Sequence, residues 1–386
     1  VHLKTAFFDG RDAMKFTIDR ADLLRSLNHV HSVVERRNTI PILANVLLLA
    51  DTDTLSLTTT DMDLEIVEST SAKASQPGAT TVPAHTLYDI VRKLPDGSSI
   101  EMTSGANDTT LQVKAGKSTF RLGCLPTEDF PRMGSADKFA YSFKLPAADL
   151  RTLIDRTRFA ISNEETRYYL NGIYLHAAEN EGLSVLRAVA TDGHRLARFE
   201  MPLPEGANDM PGVIIPRKAI NEIRKLIDEA GDSIEISLTD NKLKFRFDHI
   251  TLTTKLIDGT FPDYERVIPK NNDKVLEVNP ALLGSAVDRV STISSEKSRA
   301  VKLTLGGKTM TLSANSPDSG SASEEIEIHF NAGPMEIGFN SAYLMDVTKQ
   351  IEGDGCRMSL SDPASPTIIQ DASDTSSLYV LMPMRV

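Results

Sequence analysis

The chain has 386 residues, 40% of them apolar, and a formal net charge of −11 at pH 7. That length suits two or three domains with real cores. The sequence has no apolar run long enough to span a membrane as a helix, its N-terminus shows no charged-then-apolar signal pattern, and its two distant cysteines, Cys124 and Cys356, argue against a disulfide framework and fit a reducing cytosol.

Taken alone, the acidic balance speaks against a nucleic-acid binder, because phosphate contacts need Lys and Arg. The distribution of charge therefore has to be followed along the chain. Phe16-Thr-Ile-Asp-Arg-Ala-Asp-Leu23 reads as a short strand, a cap and the start of a helix over 19–30, followed by an alternating strand at 55–59. Val82-Pro-Ala-His-Thr-Leu87 opens a second helix over 83–94, with the turn Asp96-Gly97 and a strand at 111–114 after it. Phe143-Lys-Leu-Pro-Ala-Ala-Asp-Leu150 repeats the first start and predicts a helix over 146–158. Ile215-Pro-Arg-Lys-Ala-Ile220 begins a helix over 216–229, then strands at 234–238, 243–247 and 251–256 and the turn Asp258-Gly259. Leu276-Glu-Val-Asn-Pro-Ala-Leu-Leu283 begins a helix over 279–290, with strands at 302–305 and 325–328 and the turn Gly306-Gly307. Phe339-Asn-Ser-Ala-Tyr-Leu344 opens the last helix, over 340–350.

The six anchors Ile18, Val82, Leu145, Ile215, Val278 and Phe339 stand 64, 63, 70, 63 and 61 residues apart. Near-even spacing marks an internal repeat. Each unit is a helix plus several antiparallel strands, about 64 residues long, and two units make one of three domains. Pro83, Pro146, Pro216 and Pro280 are expected in the first helical turn, where a fixed φ helps and a missing N–H is harmless. Such repeats, stacked head to tail, give a curved array that stays open or closes into a ring.

The six predicted helices carry a net +3 and the rest of the chain −14. Ordinary solvated helix faces explain this; so does a helix-lined surface that faces DNA loosely while the strands face away. A closed layer of twelve helices spaced about 8–10 Å apart leaves a bore on the order of 30 Å, wide enough for a duplex, whereas six helices leave about half of that. A homodimer is therefore the expected ring.

No motif for chemistry emerges. There is no phosphate-binding glycine loop, no dinucleotide fingerprint and no nucleophile elbow. His29 and His31 lack a third ligand at zinc-like spacing and read as a surface pair. Asp61, Asp63 and Glu65 stand at strand spacing; metal-dependent phosphoryl transfer would use such carboxylates, and an exposed strand face accounts for them more simply. Cys124 and Cys356 read as buried small residues. No catalytic residue, metal site or cofactor is expected. Two segments look purposeful. Thr191-Asp-Gly-His-Arg-Leu-Ala197 predicts a tight turn at Gly193 that projects His194 and Arg195 outward. The tail Leu378-Tyr-Val-Leu-Met-Pro-Met-Arg-Val386 predicts a last edge strand to Val380 or Leu381 and then an exposed apolar lip.

These stretches, with Met14-Lys-Phe-Thr-Ile, Thr39-Ile-Pro-Ile-Leu-Ala-Asn, Gly78-Ala-Thr-Thr-Val-Pro-Ala, Arg167-Tyr-Tyr-Leu-Asn-Gly172, Phe261-Pro-Asp-Tyr-Glu-Arg-Val and Met335-Glu-Ile-Gly-Phe-Asn, resemble the bacterial sliding clamps, the beta subunits of DNA polymerase III. The resemblance runs from Met14 to Val386. It implies an α+β chain of three similar domains, 14–135, 136–270 and 271–386, after a leader 1–13 without function. It also implies a ring-shaped, head-to-tail homodimer with helices inside and sheets outside.

By motif match, a peptide-binding groove falls on Leu170, Thr191, Gly193, His194, Arg195, Leu196, Pro262, Arg266, Val267, Asn340, Tyr343, Val380, Met382, Pro383, Met384 and Arg385. Leu170, Leu196, Val267, Val380 and Met382 would form the apolar floor, and Arg195 and Arg266 the rim. DNA-facing residues fall on Arg37, Tyr168, Tyr169, Arg217 and Lys218. The dimer seam falls on Lys114, Lys117 and Phe120 on one side and Thr292, Ile293, Glu324 and Glu325 on the other.

The implied partners are double-stranded DNA, a second copy, the replicative polymerase, the clamp loader, translesion polymerases, mismatch repair proteins and DNA ligase, in the cytoplasm near the nucleoid and away from membranes. Pro366, Val386 and the Ser-rich stretch from Asp318 to Glu325 depart from the family pattern and bear on peptide preference and dimer strength. The function implied is a non-catalytic tether that encircles duplex DNA and holds the polymerase and other proteins to it; two other readings stand beside it: a nuclease using the carboxylates at 61–65, and a repeat scaffold that binds only protein peptides.

Overall fold

All six strand-to-helix starts are present in the structure, a computed structural model that describes residues 13–105, 109–133, 139–229, 231–294 and 299–385. The leader, apart from residue 13, and Val386 lie outside the described residues. The helices are α1 (Arg20–Val30), α2 (Ala84–Lys93), α3 (Ala147–Asp155), α4 (Arg217–Ile227), α5 (Pro280–Ser291) and α6 (Ser341–Thr348). Each buries a stripe at helical spacing: Leu23, Leu27 and Val30 on α1, and Leu283, Ala286, Val287 and Val290 on α5. Asn279 and Asn340 cap α5 and α6, accepting from the N–H groups of Leu282 and Ala342 at 3.0 Å each.

The chain divides into two units: one runs to Ala148 and includes Asn221–Leu256, the other holds Asp149–Ile220 and continues from Ile257. In the first unit, a five-stranded sheet has the order β5 (Lys73–Gln76), β1 (Met14–Asp19), β7 (Ser99–Ser104), β8 (Thr110–Ala115), β9 (Ser118–Gly123). Its eight-stranded companion has the order β10 (Tyr141–Pro146), β15 (Ser233–Leu238), β16 (Lys242–Phe247), β17 (Ile250–Lys255), β4 (Leu64–Ser71), β3 (Thr54–Thr60), β2 (Asn45–Asp51), β6 (Gly78–Pro83).

In the second unit, a nine-stranded sheet has the order β14 (Val213–Pro216), β11 (Gly172–Asn180), β12 (Leu183–Thr191), β13 (Arg195–Pro202), β26 (Ser377–Leu381), β25 (Thr367–Asp371), β24 (Cys356–Leu360), β18 (Lys274–Val278), β22 (His329–Phe330). A four-stranded sheet has the order β21 (Gly320–Glu327), β20 (Thr309–Ser316), β19 (Ala300–Leu305), β23 (Met335–Asn340). Two pairings join strands of non-adjacent repeats into one ladder: β17 with β4, where Leu252 faces Ile66, and β13 with β26, where Leu196 faces Val380.

Several expectations are corrected. Pro83, Pro146 and Pro216 end strands and precede the helix; only Pro280 of the four occupies the first turn. The third helix stops at Asp155 rather than 158, and a separate short turn follows at Arg158–Ala160. β26 is interior, flanked by β13 and β25, rather than an edge. His29 and His31 are no surface pair. His29 is 8% exposed and its Nδ1 lies 2.8 Å from Glu68, while His31 stacks on Tyr88 at 4.0 Å. Asp61 and Asp63 occupy the turn between β3 and β4, where Asp61 Oδ1 accepts from the N–H groups of Asp63 and Leu64; Glu65, half-buried, is on the strand. Cys356 is buried and its thiol is pushed up to about 12 by that burial, whereas Cys124 is only half-buried. Among the described residues no helix is long and apolar enough to cross a membrane, and no three His, Cys, Asp or Glu side chains gather to hold a metal.

Candidate functional site

The turn from β12 to β13 is built from its own side chains. Gly193 has φ +86, in the left-handed region that favours glycine. Thr191 Oγ1 donates to the Arg195 carbonyl at 2.6 Å and accepts from the Gly193 N–H at 3.1 Å. Asp192 Oδ1 accepts from the N–H groups of His194 and Arg195 at 3.0 and 3.1 Å. This closes the turn expected at Gly193.

Arg195 is not projected outward. Its guanidinium donates to Asp192 at 3.1 Å, to Asp346 at 2.6 Å and to the Phe159 carbonyl at 2.6 Å. It also lies over the Tyr343 ring at 4.3 Å and the Phe159 ring at 5.2 Å. A side chain with that many partners gains more by turning in than by remaining in water, and its side chain is 10% exposed. His194 does stay exposed, with its ring 6.4 Å from that of Tyr343. Asp192, Asp346 and Phe159 are the residues that sequence reasoning missed here. Tyr343 and Asp346 stand three apart on α6 and so share a face, which was a readable signal.

Beneath the turn, Leu170, Val189, Leu196, Ile214, Phe261, Tyr264, Leu378 and Val380 form one apolar cluster, with Tyr169, Tyr174 and Ile368 packed against it. Leu170, Leu196 and Val380 are only 3–4% exposed, whereas Val267 is 53% and Met382 43% exposed. The five residues expected as one floor therefore fall into a buried group and two apolar side chains open to solvent. Arg266 is 85% exposed at its side chain and pairs with Asp263 at 2.7 Å; Pro262 is exposed beside them.

The tail is tied down by its backbone. The Met382 N–H donates to the His194 carbonyl at 3.0 Å and the Met384 N–H to the Gly338 carbonyl at 2.8 Å. Pro383 is half-buried and Arg385 exposed. Asn340 is the cap of α6 already described. The Pro366 carbonyl accepts from Asn272 Nδ2 at 2.9 Å.

Arg37 is exposed, Tyr168 is 53% exposed and Tyr169 half-buried at 5.7 Å from it. Arg217 is half-buried and donates to the carbonyls of Ile161, at 2.8 Å, and Ser162; burial lowers its pKa. Lys218 is half-buried on α4. Lys114 and Lys117 are exposed and Phe120 half-buried on β8, the following turn and β9. Thr292 and Ile293 follow α5. Glu324, on β21, pairs with Arg289 of α5 at 3.0 Å, which pulls its carboxyl below the usual range, and Glu325 is exposed.

Comparison with known proteins covers nearly the whole chain. Three family models match: DNA polymerase III beta subunit, N-terminal domain, over residues 14–134; central domain over 144–263; and C-terminal domain over 265–385. The chain is 52% identical over 373 residues to a beta sliding clamp of Caulobacter vibrioides, covering 97% of this chain and all of that one. It is 39% identical over 374 residues to the beta sliding clamp of Escherichia coli K12, with the same coverage. Among solved structures, a sliding clamp of Bartonella birtlesii bound to griselimycin superposes with a TM-score of 0.93 at 49% identity, covering 97% of this chain and 100% of that one. One from Pseudomonas aeruginosa, also bound to griselimycin, gives 0.90 at 40% identity and the same coverage.

Proposed function

The chain belongs to the DNA polymerase III beta subunit family of sliding clamps, non-catalytic processivity factors, and on that premise we propose how it works. Two copies join head to tail into a ring that encircles duplex DNA without reading its sequence. Short peptides of the replicative polymerase, the clamp loader, translesion polymerases, mismatch repair proteins and DNA ligase dock in the groove around Arg195, Tyr343, Val267 and Met382. The domains run over 14–135, 136–270 and 271–386, and the protein acts in the cytoplasm at the nucleoid.

One observation carries the ring. β9, with Phe120, ends the five-stranded sheet, and β21, with Glu324 and Glu325, ends the four-stranded sheet. Each presents a row of backbone donors and acceptors ready for another strand. Pairing β9 of one copy with β21 of another brings Lys114 and Lys117 toward Glu324 and Glu325, so charge selects the head-to-tail register and Phe120 supplies an apolar anchor. The weakly basic helices, with Arg37, Tyr168, Tyr169, Arg217 and Lys218, then hold the duplex loosely. The griselimycin complexes of two relatives support a groove that accepts an external ligand.

The test is topological. Sedimentation is expected to give twice the chain mass, and protein loaded on closed circular DNA is expected to stay through a salt wash and to slide off once the circle is cut. Salt-sensitive retention on linear DNA means ordinary electrostatic binding, and a monomer that still binds peptides means a scaffold.

A further inference from the structure

The groove residues Pro262, Arg266 and Val267 sit on a segment, 257–268, that belongs to no sheet. Its backbone is tied to β14 by the Ile257 N–H, which donates to the Ile214 carbonyl at 3.0 Å. Two aromatic side chains fasten the rest. Phe261 is 8% exposed and stacks on Tyr174 at 4.9 Å with the rings 7° from parallel. Tyr264 is 6% exposed, and its hydroxyl reaches into a polar network under the apolar cluster.

That network has one consistent set of donors. Arg187 on β12 is 4% exposed and always a donor. Its Nε donates to Glu200 at 2.9 Å, and its Nη1 to Glu265 at 2.7 Å and to the Tyr264 hydroxyl oxygen at 3.0 Å. His176 Nδ1 lies 2.9 Å from the Ala177 carbonyl, which only accepts, so Nδ1 carries the hydrogen. Nε2 is then an acceptor, and it lies 3.0 Å from the Tyr264 hydroxyl, which donates to it. The chain runs from Arg187 through Tyr264 and His176 to the Ala177 carbonyl, with each hydrogen used once.

We infer that Tyr264, clamped between Arg187 and His176, is a positioning residue of the peptide groove: a hydrogen-bonded peg that fixes the wall carrying Pro262, Arg266 and Val267. The inference rests on the groove reading proposed above. It gives the wall a built-in sensitivity to acid. Burial first, and then the Arg187 charge, keep the His176 pKa below its ordinary value, against a hydrogen bond to Ala177 and the charge of Glu265. Tyr174 stacks on its ring at 4.6 Å, and Arg198 and Glu200 lie beyond Arg187. Once His176 takes a proton, Nε2 becomes a donor, and the Tyr264 hydroxyl hydrogen loses its acceptor.

The experiment is calorimetric titration of the full-length protein with griselimycin between about pH 8 and about pH 5, a range that extends well below the ordinary histidine pKa. Wild type is expected to weaken on acidification. Tyr264→Phe keeps the ring and is expected to bind about tenfold more weakly at neutral pH, with a flat pH profile, the loss of roughly one buried hydrogen bond. His176→Gln is expected to be flat as well. Met382→Asp serves as the groove control and is expected to lose binding. If Met382→Asp loses binding while Tyr264→Phe keeps wild-type affinity, the peg is overturned and the groove stands. If Tyr264→Phe weakens binding but keeps the wild-type pH profile, the ring packs without the hydrogen-bond role, and the inference is again overturned. If Met382→Asp binds at full strength, the groove reading fails and takes the peg with it.

Discussion

Replacing His29 with alanine strikes a buried ion pair of the first unit. Glu68 on β4 is 0% exposed, and His29 on α1 lies with Nδ1 2.8 Å from Glu68 and Nε2 2.9 Å from a Glu229 oxygen. Burial alone would lower the imidazole pKa; the bonds to Glu68 and then Glu229 outweigh it and raise the pKa. The two carboxylates thus favour the protonated imidazole. Removing one partner of a buried ion pair costs about 3–5 kcal/mol because the survivor stays uncompensated. The Glu229 arm, 48% exposed, adds only about 0.2–1 kcal/mol. His249 Nε2 is 3.7 Å from the other Glu68 oxygen, beyond hydrogen-bond reach, and does not take over.

His29→Ala is therefore expected to lower the unfolding free energy of this unit by about 3–5 kcal/mol, measured by urea denaturation with an unchanged m-value. A raised folded-state pKa makes its stabilisation complete below the ordinary histidine pKa and lost as pH rises through the folded value. The variant should lack that fall. Replacing both partners, His29→Leu with Glu68→Met, should recover most of the loss. A cost below about 1 kcal/mol, or a variant that keeps the wild-type pH slope, would refute the reasoning.

Gly172→Ala is expected to destabilise the nine-stranded sheet by about 1–3 kcal/mol or more, because the new Cβ would meet the Ile215 carbonyl oxygen at 2.2 Å on a paired strand. Gly333→Ala, with nothing within 4 Å of its Cβ, should melt near wild type, and thermal unfolding compares the two. In a thiol titration of the native protein, Cys124 should react quickly and Cys356, buried with its thiol pushed up to about 12, only after denaturant is added. Deleting Met382 to Val386 should abolish the partner-peptide binding proposed for the groove and leave the sedimentation mass expected of the proposed dimer; full-strength binding after the deletion contradicts the groove assignment.

Local patterns carried much of the fold. Each helix start lay within a residue of its expected position because an apolar anchor followed by a cap or proline is a property of a few neighbouring residues. Proline placement went astray at Pro83, Pro146 and Pro216 because a fixed φ suits a strand's last residue as well as a helix's first. Long-range partners left no such trace. Nothing near Leu64–Ser71 announces that β4 pairs with β17, and the tail's continuous apolar run from Leu378 does not say which strands flank β26. At the site, the turn at Gly193 was legible from Thr-Asp-Gly. The inward course of Arg195 depends on Asp346 and Phe159, which are distant in sequence. The burial of His29 is hidden for the same reason, since its partners sit on β4 and beyond α4.

The ladders that weld β17 to β4 and β13 to β26 have a consequence for anyone who dissects this molecule. The repeat that is visible in the amino-acid pattern is not a piece that can be lifted out. Excising a single repeat would strip β26 of a neighbour over Ser377–Leu381, or β4 over Leu64–Glu68, and leave an unpaired strand edge prone to clumping. Fragments meant to stay soluble should be cut to keep each welded ladder whole.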